Sequence, residues 1–253
     1  MHKIFAKPLF LGKKVIFLTD CHSTNDELSA LLRKSSSPEG LVIYTDHQRS
    51  GKGQRGNVWL DEPGKNVLMS VLLKPTYLKI SDQHLLNVVI GLSIIRSVGR
   101  YLGEERVKLK WPNDVLIDSK KICGILVENT LQGETLENSI MGIGFNLNQK
   151  AFGLPNATSL TMQTGEEYSR KSFIENLLVD IEYFLLKLKN GQQNLLLQLY
   201  HEKLYLKGVT SSFQDESGEF TGTILGIDNT GKLIVSKGGS LCNYGIKEIK
   251  FLS

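Results

Sequence analysis

The stretch "HQRSGKGQRGNVWLDEPGKNVLMSVLL", residues 47–73, decides the fold. Gly51, Gly53 and Gly56 spell G-x-G-x-x-G, the pattern of dinucleotide-binding loops. Such a loop must run into a helix whose N-terminus receives the pyrophosphate. Here Pro63-Gly64 breaks any helix, and "NVLMSVLL" (66–73) has the texture of a strand. The glycines therefore join two strands, of which "LVIYTD" (41–46) is the first. No acidic residue is placed to close a second parallel strand, so a Rossmann fold is excluded. A Walker A loop is excluded too. Lys13, Lys52, Lys65 and Lys232 each follow a Gly, but none precedes Ser or Thr. What remains is a basic clasp. Amides beside glycines approach an anion closely, and Arg49, Lys52 and Arg55 add positive charge. A phosphate or carboxylate is its natural guest.

Outward from the loop, "STNDELSALLRK" (23–34) predicts a helix with Leu28, Leu31 and Leu32 on one face. Thr24 and Glu27 form a capping box, with Ser23 and Asp26 as an alternative register. "LLNVVIGLSIIRSV" (85–98) is too short to cross a bilayer and reads as a core helix. Residues 106–130 read as three strands separated by Pro-Asn-Asp and Asp-Ser turns, and "NSIMGIGFNLN" (138–148) as another strand. Helical periodicity occupies 169–206, with Phe173, Leu177, Ile181, Phe184 and Leu188 on one face. Beyond 208, short strands alternate with Gly-rich turns, which predicts a small β barrel. The fold class is α+β, with domains at 1–207 and 208–253.

The whole chain sets bounds. At 253 residues with net charge +4, it suits an anionic ligand without demanding nucleic acid. Cys21, Cys123 and Cys242 form no C-x-x-C, which argues against zinc and disulfides and for reduced thiols in the cytoplasm. Lys7, Lys13 and Lys14 interrupt the N-terminal apolar runs, unlike a signal peptide. No G-x-S-x-G or H-E-x-x-H occurs, so electrostatic stabilisation of phosphate chemistry is expected over covalent catalysis.

Three further segments carry candidate chemistry. In "KWPNDV" (110–115), Asp114 offers carboxylate oxygens to magnesium or a polar ligand, while Asn113 and Asp114 equally suit a turn and Trp111 a core anchor. In "DSKKICGILVE" (118–128), alternation turns one of Lys120 and Lys121 inward, where it needs an anion. In "IMGIGFNLN" (140–148), Met141, Ile143, Phe145 and Leu147 share a core face. Gly142 and Gly144 form a smooth floor ending at Asn146, for a flat ligand or a close-packed backbone.

Taken in order, "STN", "GKGQRGNVW", "KWPND", "KKICGILVE" and "GIGFNLN" resemble the biotin–protein ligase (biotin–acetyl-CoA-carboxylase ligase) family. The resemblance implies a mixed sheet with helices, related to class II aminoacyl-tRNA synthetases and lipoate ligases, plus an SH3-like C-terminal barrel. It implies that biotin and MgATP give biotinyl-5'-adenylate, from which a lysine of a biotin carboxyl carrier domain takes the biotinyl group. Carried over position by position, biotin contacts fall on Ser23, Thr24, Asn25, Gln48, Gly142 and Gly144. Gly51, Lys52, Gly53 and Gln54 form the loop that folds over biotin. Lys121 meets the biotin carboxylate and the α-phosphate. Trp59, Asn113 and Asn146 lie towards ATP, with Lys52, Arg55 and Lys121. Lys52, Arg55, Lys121 and Asp114 supply catalytic charge, Asp114 also as a Mg²⁺ ligand.

The usual loop of the family is G-R-G-R-R-G, and here Lys52 and Gln54 replace its first two arginines. Lys52 keeps charge without the bidentate fork, and Gln54 loses charge. Only residues 1–22 precede Ser23, which leaves no room for the helix-turn-helix domain of some members, so no specific DNA binding is expected. The resemblance also suggests a homodimer, and no membrane association is expected. Two alternatives remain at this point: a lipoate or octanoate ligase on the same fold, and a non-catalytic biotin-binding module.

Overall fold

The computed structural model describes residues 5–252, apart from the side chain of Arg55. A mixed sheet of seven strands runs in the order β1-β2-β3-β7-β6-β5-β4. Its members are β1 Val15–Cys21, β2 Val42–Gln48, β3 Val67–Leu73, β4 Val107–Lys110, β5 Asp114–Ile117, β6 Lys120–Gln132 and β7 Thr135–Phe145. Only β1 and β2 pair in parallel, and helix α1 (Thr24–Lys34) crosses between them. That crossover frees the end of β2 to enter the glycine loop, which returns into antiparallel β3 as the sequence requires. Strand β1 escapes sequence reading because its buried and exposed positions do not alternate cleanly.

The two faces of the sheet differ. Met69, Val71, Ile125, Met141, Ile143 and Phe145 point to one side and enter the main core. There they meet α2 (His84–Leu102), α4 (Arg170–Lys189) and α5 (Gln193–Lys203). A short α3 (Leu160–Thr164) was not foreseen. Each fully buried Leu or Ile on α2 contributes about 2 kcal/mol of transfer free energy. The apolar segment is longer than the sequence suggested: with its leading turn it spans Ile80–Leu102, enough by length and composition to cross a membrane. Two-thirds of its most apolar window, 67%, is buried inside the protein, so it is the core helix. Asp180 of α4, fully buried, ties it down through Ser97, Arg96 and Arg100.

The opposite face carries Ser70, Asp114, Gly124, Leu126, Gly142 and Gly144, which the pairing places side by side. Helix α1 covers one end of it, through a smaller cluster of Leu28, Leu41, Ile43, Leu72 and Ile140. The other end stays open.

From Thr210 onward the chain forms a second, five-stranded antiparallel sheet, consistent with the SH3-like expectation. Its strands are β8 Thr210–Asp215, β9 Gly218–Ile227, β10 Leu233–Lys237, β11 Ser240–Tyr244 and β12 Lys250–Phe251. It is seated against the first sheet. Trp111 donates its indole N–H to Gly231 O at 2.9 Å, and Ile227 N donates to His201 Nε2 at 3.0 Å. Trp111 is thus the anchor that its burial in "KWPND" allowed.

Candidate active site

The open end of the second face is a cavity of about 310 Å³. It is walled by the start of α1, the glycine loop, the 110–114 turn, Lys121, and Ile249 and Phe251 of the C-terminal sheet. Its floor is glycine. A Cβ on Gly142 would stand 2.5 Å from Asn25 Oδ1, and one on Gly144 would stand 2.6 Å from the Trp59 indole. The floor thus receives side chains laid flat on it. Gly124, which sequence reading passed over, belongs to the same floor, with Trp59 2.9 Å from the place of its missing Cβ.

Lys121 reaches this floor through a backbone irregularity. Val115 pairs with Cys123 but Leu116 pairs with Lys121, so Ile122 is the extra residue of a β-bulge. In a regular strand, Lys121 and Gly124, an odd number of residues apart, would face opposite sides. The bulge turns Lys121 onto the floor side, its Cε 3.4 Å from where a Gly124 Cβ would be. Ile122 and Cys123 are consequently both buried. Burial also raises the Cys123 thiol far above its ordinary value, so it stays protonated. Lys121 Nζ lies 2.7 Å from Asp114 Oδ1 and 5.5 Å from the Trp59 ring centroid. One inward cation therefore stands beside one carboxylate at the cavity's end.

The α1 corner departs from the expected capping box. The helix begins at Thr24, and Ser23, at the cap position, makes no side-chain cap bond. The cap comes instead from strand β2. Gln48 Oε1 accepts from Thr24 N at 2.8 Å and lies 3.2 Å from Thr24 Oγ1. A remote amide caps more than the local box does because the end of β2 is held beside the helix start by the parallel pairing Cys21–Gln48. Ser23, Thr24 and Asn25 are all buried and line the cavity.

The glycine loop is a hairpin tip. Trp59 N donates to Gly51 O at 2.8 Å and Gly53 N to Asn57 O at 2.7 Å, around a tight 3-10 turn at Gln54–Gly56. Gly51 is required there, since its Cβ would sit 2.5 Å from Trp59 O. Lys52 Nζ meets Asp26 Oδ1 of α1 at 2.5 Å, and that bond holds the ammonium above its ordinary pKa. At the far end, buried Asp61 accepts from Gln48 N at 3.4 Å and meets His47 Nδ1 at 2.8 Å. Desolvation raises the Asp61 carboxyl, against the lowering effect of His47. Asp61 thus ties the returning loop to β2, a role that nothing in its sequence context signalled.

Most expected site residues converge: Ser23, Thr24, Asn25, Gln48, Lys52, Gly53, Gln54, Trp59, Asn113, Asp114, Lys121, Gly142 and Gly144 all line the cavity. Gly51 and Asn146 do not. Gly51 shapes the hairpin, as above. Asn146 donates Nδ2 to Thr158 O at 3.0 Å and lies behind Lys121, whose own backbone N–H donates to Asn156 O at 2.7 Å. Asn146 therefore fastens the 156–158 segment alongside β6. Asn113 clamps the turn, giving Nδ2 to Ile125 O at 2.6 Å and accepting from Ile125 N at 2.9 Å. The expected role of Arg55 lies outside the described side chains. For magnesium, no cluster of three or more His, Cys, Asp or Glu exists among the described residues, and Asp114 is engaged with Lys121. Such a donor set does not make a stand-alone Mg²⁺ site, which fits an ion arriving on nucleotide phosphates.

Comparison with known proteins agrees with this arrangement. The family model described as "Biotin/lipoate A/B protein ligase family" matches residues 18–146, just over half the chain and most of the cavity wall. The bifunctional ligase/repressor BirA of Bacillus subtilis is 28% identical over 94% of this chain and 73% of its own length. The biotin–[acetyl-CoA-carboxylase] ligase of Mycobacterium tuberculosis is 26% identical over 86% of this chain and 81% of its own. Among solved structures, the biotin protein ligase of Aquifex aeolicus in complex with biotin and ATP superimposes with a TM-score of 0.78. It shares 27% identity, covering 94% of this chain and 98% of that one. With its glycine-floored cavity, basic clasp and inward lysine on the matched segment, this chain belongs to the biotin/lipoate A/B protein ligase family.

Proposed function

We propose that this protein is an ATP-dependent biotin–protein ligase, which activates biotin as biotinyl-5'-AMP and transfers it to a lysine of a biotin carboxyl carrier domain. The observation that carries the reading is Lys121, turned by the bulge onto a glycine floor whose other end is a buried polar corner. A ligand with a polar ring at one end and a carboxylate at the other matches that layout. The same corner disfavours a plain acyl tail, which would leave Ser23, Thr24 and Gln48 facing hydrocarbon.

In this mechanism the ureido ring sits against Ser23, Thr24 and Gln48, and the valeryl chain lies along Gly142, Gly144 and Trp59. The carboxylate replaces Asp114 as the partner of Lys121. Its oxygen attacks the α-phosphorus, the P–O bond to pyrophosphate breaks, and Lys121 offsets the negative charge that gathers between carboxylate and phosphate. ATP would enter as its magnesium complex, for which Asp114 would offer a carboxylate, and the ion would neutralise charge on the phosphates. Lys52 exchanges Asp26 for the adenylate and keeps the clasp shut against water. The carrier's lysine amine then attacks the acyl carbon, and AMP leaves with the electron pair of the cleaved C–O bond.

Residues 1–207 act as the catalytic unit and 208–253 as a wall and carrier-facing module. We place the enzyme in the cytoplasm as a homodimer, with its three cysteines free. Incubation with MgATP, biotin and a carrier domain, read by intact mass, tests the function. A single biotinyl increment on the carrier is expected, and an unmodified carrier would refute it.

A further inference from the structure

Just past the end of β7, buried Gln149 joins two loops with one amide. Its Oε1 accepts from Glu62 N at 3.1 Å and from Asn66 Nδ2 at 2.5 Å. Its Nε2 donates to Ala151 O at 2.7 Å. The backbone fixes the direction of these bonds. A peptide N–H only donates and a peptide carbonyl only accepts, so Glu62 N and Ala151 O together set the Gln149 amide. Leu147 N, which donates to Asn66 Oδ1 at 3.2 Å, sets the Asn66 amide in the same way.

Each loop leads to one end of the cavity. Glu62 and Asn66 belong to the stem by which the glycine clasp returns to β3. Beside Glu62, Asp61 accepts from Gln48 N, and Gln48 caps α1 at the polar corner. Ala151 lies in an irregular strap, residues 150–158, whose middle is exposed from Gly153 to Asn156. The strap ends beside the bulge. Lys121 N donates to Asn156 O at 2.7 Å, and Thr158 N donates to Lys121 O at 2.9 Å. Both backbone groups of the inward lysine are therefore held by the strap. With its middle in water, the strap takes its shape from its two anchored ends. Gln149 makes one anchor, and Lys121 with Asn146 makes the other.

Resting on the ligase reading above, we propose that Gln149 is a positioning residue that links the stem of the glycine clasp, through the strap, to Lys121. Closure of the clasp over biotin then steadies the lysine at the far end of the cavity. Lys121 is held in its working place when the ligand is enclosed, and adenylation is favoured where water is shut out. Misplacing a reacting group by about 1 Å can cost on the order of 100-fold in rate, so a slackened strap is felt in the chemical step.

The test uses the full-length protein in biotin-dependent ATP–pyrophosphate exchange. Gln149→Glu is isosteric and keeps the acceptor for Glu62 N and Asn66, but its carboxylate has no proton for Ala151 O. It cuts the strap arm alone. Gln149→Met has a similar length and cuts both arms. Each should lower kcat about tenfold, with the biotin KM within about twofold of wild type and the melting temperature well above that of the assay. The linkage is overturned if Gln149→Glu keeps the wild-type kcat. It is equally overturned if the biotin KM rises as much as kcat falls, or if both variants lose activity only by unfolding, which is a structural role. Wild-type protein without biotin-dependent exchange would instead overturn the ligase reading itself.

Discussion

Substituting Gly142 by alanine puts the glycine floor to the test with one methyl group. The added Cβ would stand 2.5 Å from Asn25 Oδ1, 3.0 Å from its Cγ and 3.1 Å from its Nδ2. Ordinary carbon contacts begin near 3.5 Å, so Asn25 must retreat by roughly 1 Å. Retreat is resisted. Ser70 holds its carbonyl, Glu128 holds its NH₂, and Leu28 of the same helix is locked in an apolar cluster. At about 1 kcal/mol per hydrogen bond, loosening both costs about 2 kcal/mol of ligand-site order. That predicts biotin binding weakened about 30-fold by calorimetric titration. Overpacking adds about 1–3 kcal/mol to the folded state, a fall of several degrees in melting temperature. If Gly142→Ala binds biotin within about twofold of wild type, the floor does not lie under the ligand and the site is wrongly built.

Lys121→Met should keep the melting temperature within a few degrees, since its ion pair with Asp114 is part-exposed, yet abolish measurable pyrophosphate exchange. Exchange at wild-type rate would remove Lys121 from the chemistry. The seating of the C-terminal sheet should be acid-sensitive. Burial lowers the pKa of both His84 and His201 from 6.5, and His201 Nε2 must stay unprotonated to accept from Ile227 N. With folded values below unfolded ones, the stabilisation is complete above about pH 6.5 and is lost as pH falls through the folded values. Thermal melts across that range should slope downward on acidification, and the slope should flatten in the His84→Gln/His201→Gln variant. An equal slope in that variant would contradict the assignment.

Much of this was legible in the chain. Pro63-Gly64 and the apolar run after it were enough to turn a dinucleotide motif into a strand–loop–strand, because a helix cannot pass Pro-Gly while a hairpin can. Glycines at alternating positions in β7 gave the floor for the same local reason. The failures arose where a residue's role depends on a distant partner. The capping box was sound as local chemistry, but Gln48, brought alongside by the parallel β1–β2 pairing, took the helix end first. Alternation turned one of Lys120 and Lys121 inward without choosing between them, and the structure turns Lys121 onto the floor by a bulge that no residue type announces. Ser70 lay hidden in "LMSVLL", where a lone serine in an apolar strand reads as filler until Thr24 and Asn25 are seen against it. Asn146 shows the reverse case. The resemblance aimed it at the nucleotide, and the fold gives its NH₂ to Thr158 O while its buried Oδ1 has no hydrogen-bond partner among the described residues.

The central claim is that one cavity activates biotin with ATP. Exchange of labelled pyrophosphate into ATP, with biotin present, absent or replaced by lipoate, measures that step without any carrier. Exchange that requires biotin and is not supported by lipoate is the predicted result. Exchange indifferent to biotin, or driven equally by lipoate, would contradict it.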